Sequence, residues 1–181
     1  DGVQVSNVGG WHSPEQTLEG STGGTHWYSD LLPTLLAAVS HLTADESSLN
    51  ASVDASVDQQ QPAISGWFNL SGPSAFNALH DHGRDVEWSL VLFVATGEAA
   101  EISAAEYGGS LLLKTQVGPV THQRHAFLPV VPVPGELWAF PGYLQHCVMP
   151  RVLSPAESSV PTTHVEDECR QRVSAAFNVY S

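Results

Sequence analysis

Three histidines have the type and spacing for metal chemistry. His80 and His82 stand one residue apart in Leu-His-Asp-His-Gly, and His146 ends the segment Phe-Pro-Gly-Tyr-Leu-Gln-His far downstream. Residues i and i+2 of a strand point to one face, so both rings reach the same ion while Asp81 turns away. A third imidazole from a remote strand closes a facial triad and leaves coordination positions open for oxygen and substrate. The competing reading is a set of surface histidines, of which a chain with nine has several to spare.

A second group sits on the last predicted strand, Arg-Val-Ser-Ala-Ala-Phe-Asn. Strict alternation puts Arg172, Ser174, Ala176 and Asn178 on one face and Val173, Ala175, Phe177 and Val179 on the other. A guanidinium with a hydroxyl two residues on suits a terminal carboxylate, the arginine forking its two oxygens and the serine adding a third hydrogen bond. The alternative is an arginine on a solvated edge strand, paired with one of many acids.

Histidines so far apart in sequence meet only if their strands are brought side by side. From residue 63 onward the chain reads as short β runs, predicted at 64–70, 75–82, 86–95, 110–116, 126–131, 136–140, 145–150 and 172–180. Gly, Pro and Ser clusters punctuate them. One helix precedes them. It begins at Ser29 or Asp30, either able to cap it, and places Leu31, Leu32, Leu35, Leu36, Val39 and Leu42 on one face; Pro33 is tolerated in the first turn. The first 24 residues read as extended chain and loops. Residues 44–62, with their tandem Ala-Ser-Val-Asp repeat and Gln run, read as a low-complexity loop. The expected fold is mainly β, a double-stranded β-helix (jelly-roll or cupin-like) with one N-terminal helix packed on the sheet. An up-and-down barrel is the alternative, but it offers no reason for remote histidines to converge.

These segments together resemble the 2-oxoglutarate/Fe(II)-dependent oxygenases. The resemblance is carried by His80-x-His82, by Gly-Glu-Leu-Trp-Ala-Phe-Pro-Gly-Tyr-Leu-Gln-His, and by the Arg172-x-Ser174 strand. More narrowly, Trp67, Asn69, Asn77, His80 and His82 match a W-x-N…N-x-x-H-x-H stretch, and Ser6 to Ser13 match an SN-x-GGW-x-S segment of one branch. The resemblance implies that His80, His82 and His146 ligate Fe(II). It makes Arg172 and Ser174 the clamp for the distal carboxylate of 2-oxoglutarate. It makes Asn69 and Asn77 cosubstrate or substrate contacts, a turn-capping role being the alternative for Asn77. The implied reaction is hydroxylation of a small-molecule or peptidyl substrate, with O2 and 2-oxoglutarate converted to succinate and CO2.

Two departures stand out. His82 occupies a position where most such enzymes have a carboxylate, which leaves a ferrous site one unit more positive. The 25 residues between His146 and Arg172 exceed what a direct connection needs, so 153–169 reads as an inserted loop. A rival reading uses the cupin pattern, in which Glu87 joins His80, His82 and His146 around the metal; Gly135, Pro141 and His146 fit that spacing, and Arg172 is then incidental. A third class is a non-catalytic binding module on the same fold.

Composition narrows the partners. The 181 residues are expected to form one domain with its own core. With 19 acidic residues against 6 basic and a net charge of −13, nucleic acid and anionic membranes are poor partners. No apolar run is long enough to span a bilayer and no signal peptide is visible, so a soluble, intracellular protein is expected. Cys147 and Cys169 form no metal or redox spacing and read as reduced structural residues. His12, His26, His41 and His164 carry no spacing signal, and Trp138 and Phe140 read as core.

Overall fold

The computed structural model describes residues 6–18, 30–49, 62–97, 107–117, 124–151 and 171–180. In chain order the elements are β1 (Asn7–Val8), β2 (Trp11–His12), β3 (Gln16–Thr17), α1 (Leu32–Leu49), β4 (Ala63–Ser71), β5 (Phe76–His80), β6 (Val86–Ala95), β7 (Leu111–Val117), β8 (Arg124–Val130), β9 (Leu137–Pro141), β10 (His146–Val148) and β11 (Arg172–Tyr180). Two antiparallel sheets contain all the strands. One runs β1-β5-β10-β7-β8; the other runs β2-β4-β11-β6-β9, with β3 also paired to β4. This is the double-stranded β-helix expected from the sequence.

Side-chain alternation explains the layers. On β6, Trp88, Leu90 and Leu92 face the helix side, whereas Val91 and Phe93 point between the sheets; on β9, Leu137 and Ala139 oppose Trp138 and Phe140 in the same way. The helix lays Leu31, Leu32, Leu35, Leu36 and Val39 onto Ile64, Leu90, Ala175, Phe177 and Val179. Burying such a stripe supplies the main stabilisation of a helix that would be marginal alone. Phe177 is wholly buried at its centre. Its partner across β4–β11 is Gly66, where an added Cβ would lie 2.7 Å from the Phe177 ring.

The structure departs from the sequence reading at several element ends. The first helical hydrogen bond runs from Leu35 N–H to the Leu31 carbonyl, so α1 starts just beyond Asp30. The helix continues to Leu49, taking in residues 44–49 that read as loop; residues 50–61 of that loop and the 153–169 insertion lie outside the described residues. The N-terminal arm, read as extended chain and loops, contains three two-residue strands, too short to show periodicity. No helix among the described residues is long and apolar enough to cross a membrane.

Substituting Gly66→Ala forces a methyl against Phe177 in a packed core. It should cost about 1–3 kcal/mol, seen as a lower urea midpoint with an unchanged slope.

Candidate metal centre

His146 and His80 are direct register partners across β10 and β5. Their ring centroids lie 4.2 Å apart, and His82 stands 5.1 Å from His146 and 5.2 Å from His80. One ring nitrogen from each falls within 4.8 Å of the others. Imidazole nitrogens sharing one ion at about 2.1 Å sit at most about 4.2 Å apart, so small side-chain adjustments suffice to close the site. Among the described residues, this group contains no carboxylate.

The ring tautomers favour ligation. Nδ1 of His80 faces the Ala78 carbonyl at 2.7 Å, and Nδ1 of His146 faces the Leu144 carbonyl at 3.0 Å. A carbonyl only accepts, so each Nδ1 carries the proton and each Nε2 presents its lone pair, the arrangement that outer-sphere contacts impose on metal-binding histidines. His80 Nε2 has only a long 3.4 Å contact to Ser6 Oγ, which Asn77 Nδ2 grips at 3.2 Å. Burial, reinforced by the charge of His80, pushes the His82 pKa down to about 4. Burial likewise takes His146 to about 4, with the Leu144 hydrogen bond opposing the shift. Both imidazoles are therefore neutral at pH 7, as a metal requires.

The turn after β9 positions two of the three rings. Gly142 N–H donates to the Glu87 carbonyl and Gly142 O accepts from His82 N–H, each at 3.0 Å, while Leu144 holds His146. Only glycine fits there, because a Cβ would strike the Val86 carbonyl and approach Val86 Cγ1 to 2.7 Å. His82 thus differs from the expectation: β5 ends at His80, and a backbone bond to the turn, with no strand pairing, brings His82 round. Asp81 is occupied locally, its Oδ1 accepting from Gly83 N–H. Phe140 packs edge-on against His146, and Trp67 lies 5.8 Å from His82.

A cavity of about 380 Å³ opens beside the histidines and is lined by His80, His82, His146, Arg172, Ser174, Asn69 and Asn77, the residues to which the oxygenase resemblance gives roles. Arg172 is buried, and Nη1 donates to the Gly109 carbonyl at 2.6 Å. No carboxylate pairs with it among the described residues. Burial, with the charge of Arg151 beside it, pushes its pKa down to about 10, still fully charged at neutral pH. A buried cation without a counter-ion is costly, and an anionic ligand relieves that cost. Ser174 is the register partner of Asn69, whose Oδ1 is buried without a hydrogen-bond partner among the described residues. Arg172 and Ser174 offer donors that suit a carboxylate, in the same cavity as the three histidines.

Glu87 neither lines the cavity nor belongs to the histidine group, so the four-ligand cupin arrangement is not formed. The sequence reading passed over Arg151 and His12. His12 is buried, stacks on Trp67 at 5.4 Å and lines the cavity, yet only its pairing with Asn69 across β2–β4 reveals it.

No protein-family model and no curated protein matches the chain. Among solved structures it is similar to a prolyl-4-hydroxylase of Pseudomonas putida, at 20% identity and a TM-score of 0.53, covering 94% of this chain and 72% of that one. It is less similar to a cupin domain of Bordetella pertussis, at 14% identity and a TM-score of 0.32, covering 70% of this chain and 88% of that one. The first likeness is one of fold and spans nearly the whole chain.

Two outcomes are expected. His82 and His146 titrate near pH 4 when folded but near 6.5 when unfolded, so the unfolded chain binds more protons between those values. The metal-free protein should hold its full stability above pH 6.5 and lose part of it as pH falls toward 4. Urea melts across that window check this, and the double variant His82→Gln with His146→Gln should flatten the slope. Gly142→Ala should displace the turn and weaken binding of an added divalent transition metal about 10- to 100-fold, measured against a competing chelator.

Proposed function

We propose that the protein is a non-haem Fe(II)/2-oxoglutarate-dependent oxygenase that hydroxylates a substrate C–H bond. The observation that carries this reading is Arg172: a buried guanidinium with no carboxylate partner among the described residues, in the same cavity as three convergent imidazoles. The sequence resemblance to such oxygenases and the fold-level likeness to a hydroxylase support it. When bound, the iron and cosubstrate supply the oxidising chemistry, with O2 and 2-oxoglutarate converted to succinate and CO2.

The chain's own residues do the rest. His80, His82 and His146 hold the metal from one side, with Ala78 and Leu144 fixing two of the rings. Arg172 binds the distal carboxylate of 2-oxoglutarate with Ser174 beside it, and the Gly109 carbonyl holds the guanidinium in place. Asn69 borders that end of the cavity. Asn77 acts through Ser6, fastening the N-terminal arm against His80. Trp67, Val91, Phe93 and Phe140 supply apolar walls that limit water around the reacting groups.

Anaerobic addition of Fe(II) and then 2-oxoglutarate should produce the weak visible charge-transfer band of the chelate. Arg172→Ala should keep the metal but raise the Kd for 2-oxoglutarate about 30-fold or more. A metal-loaded wild-type protein that neither shows the band nor binds 2-oxoglutarate would overturn the proposal.

A further inference from the structure

The cavity carries a second polar station, built by the N-terminal arm and the opposite ends of β4 and β11. Glu15 Oε1 accepts hydrogen bonds from Ser65 Oγ, in a short contact, and from Tyr180 Oη at 3.1 Å; the two hydroxyls lie 3.2 Å apart. The carboxylate is thereby fixed through one oxygen, while Oε2 has no hydrogen-bond partner among the described residues. Ser65 is buried, and Glu15 itself lines the cavity and remains open to solvent.

His12 supplies an independent observation. It is only 6% exposed, and its Nδ1 faces the Ser13 carbonyl at 2.5 Å. The proton therefore sits on Nδ1, leaving Nε2 as an acceptor with no partner among the described residues. The His12 ring lines the same cavity and lies close enough for the charge of Glu15 to act on it. One wall thus presents two acceptors, one of them a fixed anion, and among the described residues no donor that answers His12 Nε2 or Glu15 Oε2. A buried acceptor left unmet is costly, and a donor-rich cation meets both.

We propose that this wall binds the primary ammonium end of a small-molecule substrate, between Glu15 Oε2 and His12 Nε2. The inference rests on the oxygenase reading only in treating the cavity as the substrate's. His12 stacks on Trp67 at 5.4 Å and Trp67 lies 5.8 Å from His82, so the ammonium is held within a small molecule's length of the histidines. The aliphatic part lies against Trp67 and Val91. Charge agrees with this division of labour: a chain of net charge −13 attracts cations, and within the cavity the anion-binding role falls to Arg172 at the other end.

The test titrates n-butylammonium and, separately, n-butanol into histidine-labelled protein, following the His12 ring signal by NMR; His12→Gln assigns that signal. Butylammonium should shift it saturably and butanol should not. Glu15→Gln should weaken butylammonium binding at least tenfold, about 1.4 kcal/mol. Glutamine keeps an oxygen for both hydroxyls, so the arm stays pinned and the melting temperature should hold; if it falls, the wild-type contrast between amine and alcohol decides alone. Equal shifts from the two probes, no shift of His12, or unchanged binding in a folded Glu15→Gln would overturn the proposal. Binding of 2-oxoglutarate by the wild type is measured in parallel. Amine binding without 2-oxoglutarate binding would retain this site and overturn the oxygenase reading, and the reverse would overturn this site alone.

Discussion

The pairing of β5 with β10 is the constraint on which the site depends. It sets His80 and His146 directly opposite each other, although 65 residues lie between them in the chain. Directly opposed side chains on an antiparallel pair stand about 5 Å apart at Cβ, so register alone brings the two rings within reach of one ion. A slip of one residue would turn one ring to the other face of the sheet. The third ring depends on a different bond, because His82 lies beyond the strand and is held through its backbone by the turn at Gly142. That turn also bonds to the Glu87 carbonyl in the second sheet, so the metal centre sits where the two sheets are fastened together.

The second sheet carries the opposite end of the site by simple alternation. β11 lies between β4 and β6, with Ala175, Phe177 and Val179 turned to the helix and Arg172, Ser174, Ala176 and Asn178 turned to the cavity. Helix packing and the cavity lining are thus two faces of one strand. The apolar face is sealed tightly enough that Gly66 leaves no room for a methyl group beside Phe177. The polar face keeps Arg172 charged and buried, with no carboxylate among the described residues to answer it.

Much of this was legible beforehand, for physical reasons that can be named. Period-two alternation identified the long strands, and β6 and β11 have the predicted bounds, because half-buried strands must alternate. The leucine stripe identified α1, although its continuation to Leu49 takes in residues 44–49, whose polar composition reads as loop. The three two-residue strands of the arm were not legible, since two residues have no period. Glu87 matched a ligand spacing in sequence, yet its carboxylate does not join the histidines: spacing along a chain does not specify where a side chain lands.

By itself, the sequence determined the helix and the long strands, the two faces of the last strand and many of the residues with chemistry to offer. Those are local properties, set by side-chain type and by the geometry of a few consecutive residues. Only the tertiary structure decided which of those residues share a cavity. It chose three histidines without Glu87, placed Arg151 beside Arg172, and brought His12 and Glu15 to one wall. These outcomes follow from strand register and from which sheet faces which. Both are non-local, because the pairing of each strand is settled by burial across the whole sandwich and by no single segment within it.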